Sequence, residues 1–245
     1  MSKNNKEPHT PGKETIRESL SNENSSPLFD LRIALMVIFL GVVSLGYMAD
    51  IPIWITITIG ALAGGGWSLV KEKSLITSLV TAWKTELLIA APVIAFTAYA
   101  IVEVSIQFAT TAALNNGGIN PENPPQFIMW LLAVKSAAAV VPPAVTGIAA
   151  GLILGVFEEL FWRGFILTRL MIVTGHGVAA LIGSALYGVY YFFLMGPYAG
   201  LFALMFGIAL SLVVIRSKSL VPSILTHFIF LILTLWIRPD VNILL

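Results

Sequence analysis

Residues 155–164, with the sequence GVFEELFWRG, place two adjacent carboxylates and a guanidinium inside a stretch that is otherwise apolar. The apolar stretch extends over about residues 145–172, which is long enough for a membrane-spanning helix. An ionisable residue at the centre of such a helix costs about 2.5–3.5 kcal/mol on insertion scales. Glu158, Glu159 and Arg163 are therefore candidates for a functional cluster.

The composition of the whole chain indicates a membrane protein. Of its 245 residues, 57% are hydrophobic and 11% are charged, whereas a soluble domain carries about 25% charged residues. A net charge of +1 argues against a nucleic-acid partner. The absence of cysteine excludes a thiolate nucleophile and a cysteine metal site. We predict an all-α fold, a polytopic transmembrane bundle of seven or eight helices surrounded by the lipid bilayer.

The chain divides into a polar tail and a helical domain. Residues 1–28 are polar and of mixed charge, which predicts a disordered tail, and residues 29–245 form the predicted transmembrane domain. The predicted helices span about 31–49, 51–70, 86–112, 127–141, 145–172, 177–195, 198–215 and 219–237. The connector 71–84 is basic and the loop 113–126 has no Lys or Arg, so we expect the amino-terminal tail in the cytoplasm.

The carboxyl-terminal half leaves the topology open. Arg216 and Lys218 belong on the cytoplasmic side by the same rule, but eight simple crossings would put them on the other side. Either the segment 127–143 does not cross the membrane fully, or one of the helices is miscounted.

The two glutamates of the opening stretch differ in their local partners. Glu159 and Arg163 are four residues apart, so they share a helix face and can pair. That pair has a purely structural interpretation, a buried ion pair that fixes helix packing. Glu158 lies about 100° round the helix and has no local cation, which leaves it available for proton transfer.

Glycines occupy the same side of this helix as the charges. Gly147, Gly151 and Gly155 recur every four residues, a spacing that lets another helix approach closely. The row continues into Glu159 and Arg163, so packing and charge are predicted to face the same bundle interior.

Other ionisable and aromatic residues of the apolar segments are less specific. Glu103 and Lys135 are isolated, and ordinary interfacial positions explain both. His227 lies well inside an apolar helix, where either a packing role or a catalytic role is consistent with its position. The tyrosines of SALYGVYYFF, residues 184–193, suit either a wet cavity or a membrane interface.

Three segments in order resemble the CPBP family, which contains the type II CAAX prenyl endopeptidases and bacteriocin-processing membrane proteases. The family motif EExxxR matches Glu158, Glu159 and Arg163. The second motif, a pattern like SSLLFGLLH, corresponds to GSALYGVYY at residues 183–191, and the third to SLVPSILTHFIFL at residues 219–231. The resemblance covers about residues 145–237.

The resemblance implies an intramembrane endopeptidase that hydrolyses a peptide bond of a membrane-associated peptide or protein. By correspondence with the family, Glu158 is the general base, Glu159 and Arg163 have structural or substrate-orienting roles, and His227 is a catalytic partner.

Two positions depart from the family pattern. Tyr191 replaces the second-motif histidine, and Leu231 replaces the usual Asn or Asp of the third motif. A phenol with its ordinary pKa of about 10 is a poor base at neutral pH, although Tyr191 could donate a hydrogen bond to an oxyanion. A catalytic zinc typically has about three protein ligands, and Glu158 and His227 leave tyrosine as the third. We therefore predict no metal and no cofactor.

Three functional classes stay open at this point. An atypical intramembrane protease should lose activity in Glu158→Ala. A non-catalytic scaffold of the same fold should tolerate Glu158→Gln but fail in Gly151→Leu. A transporter should show flux that depends on Glu158 or Glu103.

Overall fold

In a computed structural model of the chain, the described residues are 53–71, Thr77, 85–115 and 143–236. The long elements within these ranges are all helical: α1 (Ile53–Lys71), α2 (Thr85–Asn115), α3 (Pro143–Glu159), a π-helical segment (Leu160–Leu167), α4 (Thr168–Thr174), α5 (His176–Met195), α6 (Pro197–Ser217) and α7 (Val221–Trp236). The all-α prediction is confirmed for this part of the chain. The tail 1–28, the predicted helices near 31–49 and 127–141, and Lys135 lie outside the described residues.

The predicted single α-helix over 145–172 is wrong in its middle. The chain stays helical from α3 through α4, but residues 160–167 have the wider turns of a π-helix. The Thr168 hydroxyl donates to the carbonyls of Gly164 and Phe165, at 2.5 and 2.9 Å. This hydroxyl satisfies carbonyl groups at the end of the wide turns, as an apolar environment requires. The π segment is buried along its whole length, so the site described below lies in the core.

Tight turns at two glycines connect the helices on either side of α5. Gly175 has φ 83° and ψ 169°, and Gly196 has φ 90° and ψ 179°. This backbone region is open essentially to glycine alone. The two turns fold α4, α5 and α6 back on one another, which brings α5 against the π segment.

Glycines also set how closely the helices pack. A Cβ atom on Gly188 would lie 2.9 Å from the carbonyl oxygen of Gly200, and the reverse distance is also 2.9 Å, so α5 and α6 nearly touch backbone to backbone. On α3, Gly151 and Gly155 face Phe228 of α7. The predicted close approach of another helix to this glycine row is therefore confirmed at these two positions.

The outer surface of the bundle is apolar. Helices α5 and α6 are each long and apolar enough to cross a membrane, and shorter apolar stretches cover Ile89–Val104 and Val221–Thr234. Leu181, Leu201 and Leu212 project outward with more than half of each side chain exposed. Soluble monomers rarely expose large contiguous apolar patches, so these helices indicate an integral membrane protein.

Candidate functional site: a buried cluster of two glutamates, an arginine and a histidine

The junction between α3 and the π segment places the two glutamates in the protein core. Glu158 and Glu159 are the last residues of α3, and Arg163 lies within the π segment. The exposed fraction is 2% for Glu158, 0% for Glu159 and 1% for Arg163. Burial of three ionisable groups side by side is costly unless each one finds partners, so the partners define the site.

Two tyrosines of α5 bind Glu158. The Tyr191 hydroxyl donates to Oε1 of Glu158 at 2.8 Å, and the Tyr187 hydroxyl donates to Oε2 at 3.0 Å. Because these tyrosines are four residues apart, they lie on the same face of α5. Glu158 therefore finds on a distant helix the partners that its own helix does not supply.

Two polar residues of α7 bind Glu159, in addition to its neighbour on the π segment. Arg163 donates from a terminal guanidinium nitrogen to Oε1 at 2.8 Å, and His227 Nδ1 lies 3.0 Å from the same oxygen. The Ser223 hydroxyl donates to Oε2. Ser223 and His227 are one helical turn apart, so α7 presents both groups to one carboxylate.

His227 lies between the two carboxylates. Its Nδ1 contacts Glu159, and its Nε2 lies 3.8 Å from Oε2 of Glu158. Because a carboxylate accepts hydrogen bonds, we assign the Nδ1 proton to the bond with Glu159, which leaves Nε2 facing Glu158. This is the arrangement by which a carboxylate orients a catalytic imidazole. The side chain of His227 is 3% exposed.

Arg163 connects the two halves of the cluster. Its guanidinium pairs with Glu159 and also lies over the Tyr187 ring, 4.6 Å from the ring centre. The second terminal nitrogen of the guanidinium has no hydrogen-bond partner among the described residues. A cation on the ring face is electrostatically favourable, so Arg163 supports both Glu159 and the tyrosine that holds Glu158.

All five residues singled out from the sequence lie in this one cluster: Glu158, Glu159, Arg163, Tyr191 and His227. The sequence prediction missed the roles of Tyr187 and Ser223, whose signal was their four-residue spacing from Tyr191 and His227. Glu103 is half-buried on α2 and Leu231 is half-buried on α7.

The bonds of Tyr191 change the role expected for it. Its hydroxyl has a single proton, and that proton is donated to Glu158. Tyr191 therefore holds the carboxylate in this structure, and donation to an oxyanion would require this bond to break.

The donor set also bears on the predicted absence of zinc. His227 directs one ring nitrogen to each carboxylate, so a metal ion at either nitrogen would gain that nitrogen and one glutamate. A catalytic zinc site usually has three protein ligands. The absence of a bound metal stays a prediction.

The model of the Rce1-like family, described as type II CAAX prenyl endopeptidase Rce1-like, matches residues 140–233. This range contains the whole cluster. The match confirms the resemblance to the CPBP family that the three motifs indicated. No curated protein and no solved structure gives a significant match to the chain.

Proposed function

We propose that this chain, whose residues 140–233 carry the Rce1-like core of the CPBP family, is an intramembrane endopeptidase. Its substrate would be a membrane-associated peptide or protein, and its nucleophile a water activated by Glu158. The observation that carries the proposal is the convergence of α3, α5 and α7 on this one buried carboxylate.

The hydrogen bonds of Glu158 leave it able to bind a water. Each of its two oxygens accepts one tyrosine hydroxyl, and an ionised carboxylate offers about four acceptor positions. A water that donates a hydrogen bond to one of the remaining acceptor positions would lie next to a base that the two tyrosines hold in place. The tyrosines then act as positioning residues, and Glu158 accepts the proton.

The reaction follows from this arrangement. The water oxygen forms a bond to the scissile carbonyl carbon while Glu158 takes the water proton. When the tetrahedral intermediate collapses, the carbon–nitrogen bond breaks and Glu158 returns the proton to the leaving amine. His227, oriented by Glu159, presents Nε2 beside Glu158, from where it can accept a hydrogen bond from the developing amine.

The membrane topology belongs to the same proposal. We place the chain as a multi-pass membrane protein with the amino-terminal tail in the cytoplasm, because the basic connector after α1 favours that side. The buried cluster then lies at membrane depth, the level of a lipid-anchored or membrane-inserted peptide.

A non-catalytic relative that binds a membrane partner is the second candidate. The observation that favours it is the pair of departures at Tyr191 and Leu231. The Tyr191 hydroxyl donates its proton to Glu158, and the side chain of Leu231 has no polar atom. Neither side chain therefore supplies the oxyanion donor that hydrolysis requires.

Cleavage by the purified full-length chain in proteoliposomes tests the proposal. The probes are a prenylated CAAX peptide and a transmembrane peptide, each with a fluorophore and quencher across the cleavage region. We expect Glu158→Gln to lose about 10²-fold or more of the cleavage rate, because the amide cannot accept the proton. Glu103→Gln, outside the cluster, is the matched control and should retain activity.

The two candidates give opposite results in a cellular assay. Equal cleavage by wild type and Glu158→Gln would exclude the glutamate mechanism. A cellular function that survives Glu158→Gln but is lost in Gly151→Leu would support the binding role, because a Cβ at position 151 already lies 3.0 Å from the Phe228 ring.

A further inference from the structure

A small cavity lies beside Glu158 on the side of α1. It is lined by Gly60 and Ala61 of α1, Glu158 of α3, Phe161 and Trp162 of the π segment, and Tyr190 of α5. The space admits about one water molecule, which is too little for a substrate side chain. Its lining combines one carboxylate with small and aromatic groups.

Helix α1 is held against this part of α3 by a close backbone contact. A Cβ atom on Gly65 would lie 2.6 Å from the carbonyl oxygen of Phe157, so the two helices can approach this closely because residue 65 is glycine. Earlier in α1, Gly60 lies beside Glu158 and Phe161, which follow Phe157 in the chain. This wall lies outside the matched family range of 140–233.

The small side chains of α1 keep the space open. Gly60 has no side chain and Ala61 has one methyl group, and both are buried. Because both residues line the cavity, we expect a larger side chain at either position to reduce its volume. Gly60 therefore borders the cavity in addition to packing within the bundle.

The carboxylate makes water the fitting occupant. Cavities lined entirely by apolar groups stay dry, whereas a buried water needs polar partners. Glu158 borders this cavity and retains acceptor positions beyond its two tyrosine bonds.

We infer that α1 closes a one-water site on Glu158, and that this site holds the water consumed in hydrolysis. The assignment of this water as the nucleophile rests on the proposed function. Gly60 and Ala61 are then positioning residues, since they act through the space that they leave.

Filling the cavity tests the inference. Ala61→Val adds two methyl groups at the wall, and Gly60→Ala adds one, which provides a milder second variant. We expect about a 10²-fold loss of cleavage rate in Ala61→Val, with unchanged helix content. Gly66→Ala is the matched control on the same helix, because a Cβ there meets nothing within 4 Å, and it should cleave at the wild-type rate.

A high-resolution experimental structure gives the readout that does not depend on activity. We expect an ordered water within hydrogen-bond distance of Glu158 in the wild-type cavity, absent in Ala61→Val. A dry wild-type cavity would overturn the inference, as would wild-type cleavage by a properly folded Ala61→Val variant. An ordered water in a wild-type protein that cleaves no peptide would support the water site and refute the proposed protease function.

Discussion

Replacing Arg163 by methionine should destabilise the folded protein strongly, because it leaves a buried carboxylate without its cation. Arg163 lies 2.8 Å from Glu159, and both side chains are almost completely buried. Methionine preserves much of the apolar contact and removes the charge. Glu159 then keeps its bonds to Ser223 and His227, neither of which carries a permanent positive charge.

The expected loss follows from these contacts. Breaking a buried ion pair by removing one partner costs about 3–5 kcal/mol, and the loss includes the contact of the guanidinium with the Tyr187 ring. Combining Arg163→Met with Glu159→Gln removes both charges. The double variant should therefore be more stable than the sum of the two single losses implies, with a coupling energy of about 2–3 kcal/mol.

The free energy of unfolding is measured in mixed micelles with increasing SDS, followed by tryptophan fluorescence. Arg216→Met is the matched control, because Arg216 is exposed in the last turn of α6 and its loss should change stability by less than about 0.5 kcal/mol. Similar losses for Arg163→Met and Arg216→Met would refute the reasoning. So would additive effects in the double variant, because they would mean that Glu159 does not depend on the cation.

Two further predictions concern packing and the position of Glu158. Gly65→Ala should destabilise the protein by about 1–3 kcal/mol, because its Cβ would meet a backbone oxygen of α3. Gly66→Ala is the control, because a Cβ at position 66 faces open space. Equal unfolding free energies for the two variants would contradict the close contact. Tyr187→Phe removes one of the two hydrogen bonds to Glu158 and should cost about 1.5–3 kcal/mol, measured by the same unfolding assay. The exposed Tyr198→Phe provides the control, and a loss no larger than that control would mean that the Tyr187 bond does not stabilise the carboxylate.

The helices and the family could be predicted from the sequence because both depend on local patterns. Apolar stretches of membrane length mark helices without knowledge of their neighbours, and α5 and α6 match the predicted spans closely. The pairing of Glu159 with Arg163 was also predictable, since four residues of a helix bring two side chains together. The π segment was not, because nothing in its sequence, LFWRGFIL, distinguishes it from an ordinary apolar α-helix.

The sequence by itself determined that this chain forms apolar helices, that residues 158–163 carry buried charges, and that its core resembles the CPBP family. Tertiary structure alone decided the partners of Glu158. They lie 29 and 33 residues away on α5, while Ser223 and His227 lie 64 and 68 residues from Glu159. Such contacts follow from how helix faces pack, which the spacing within one helix cannot specify.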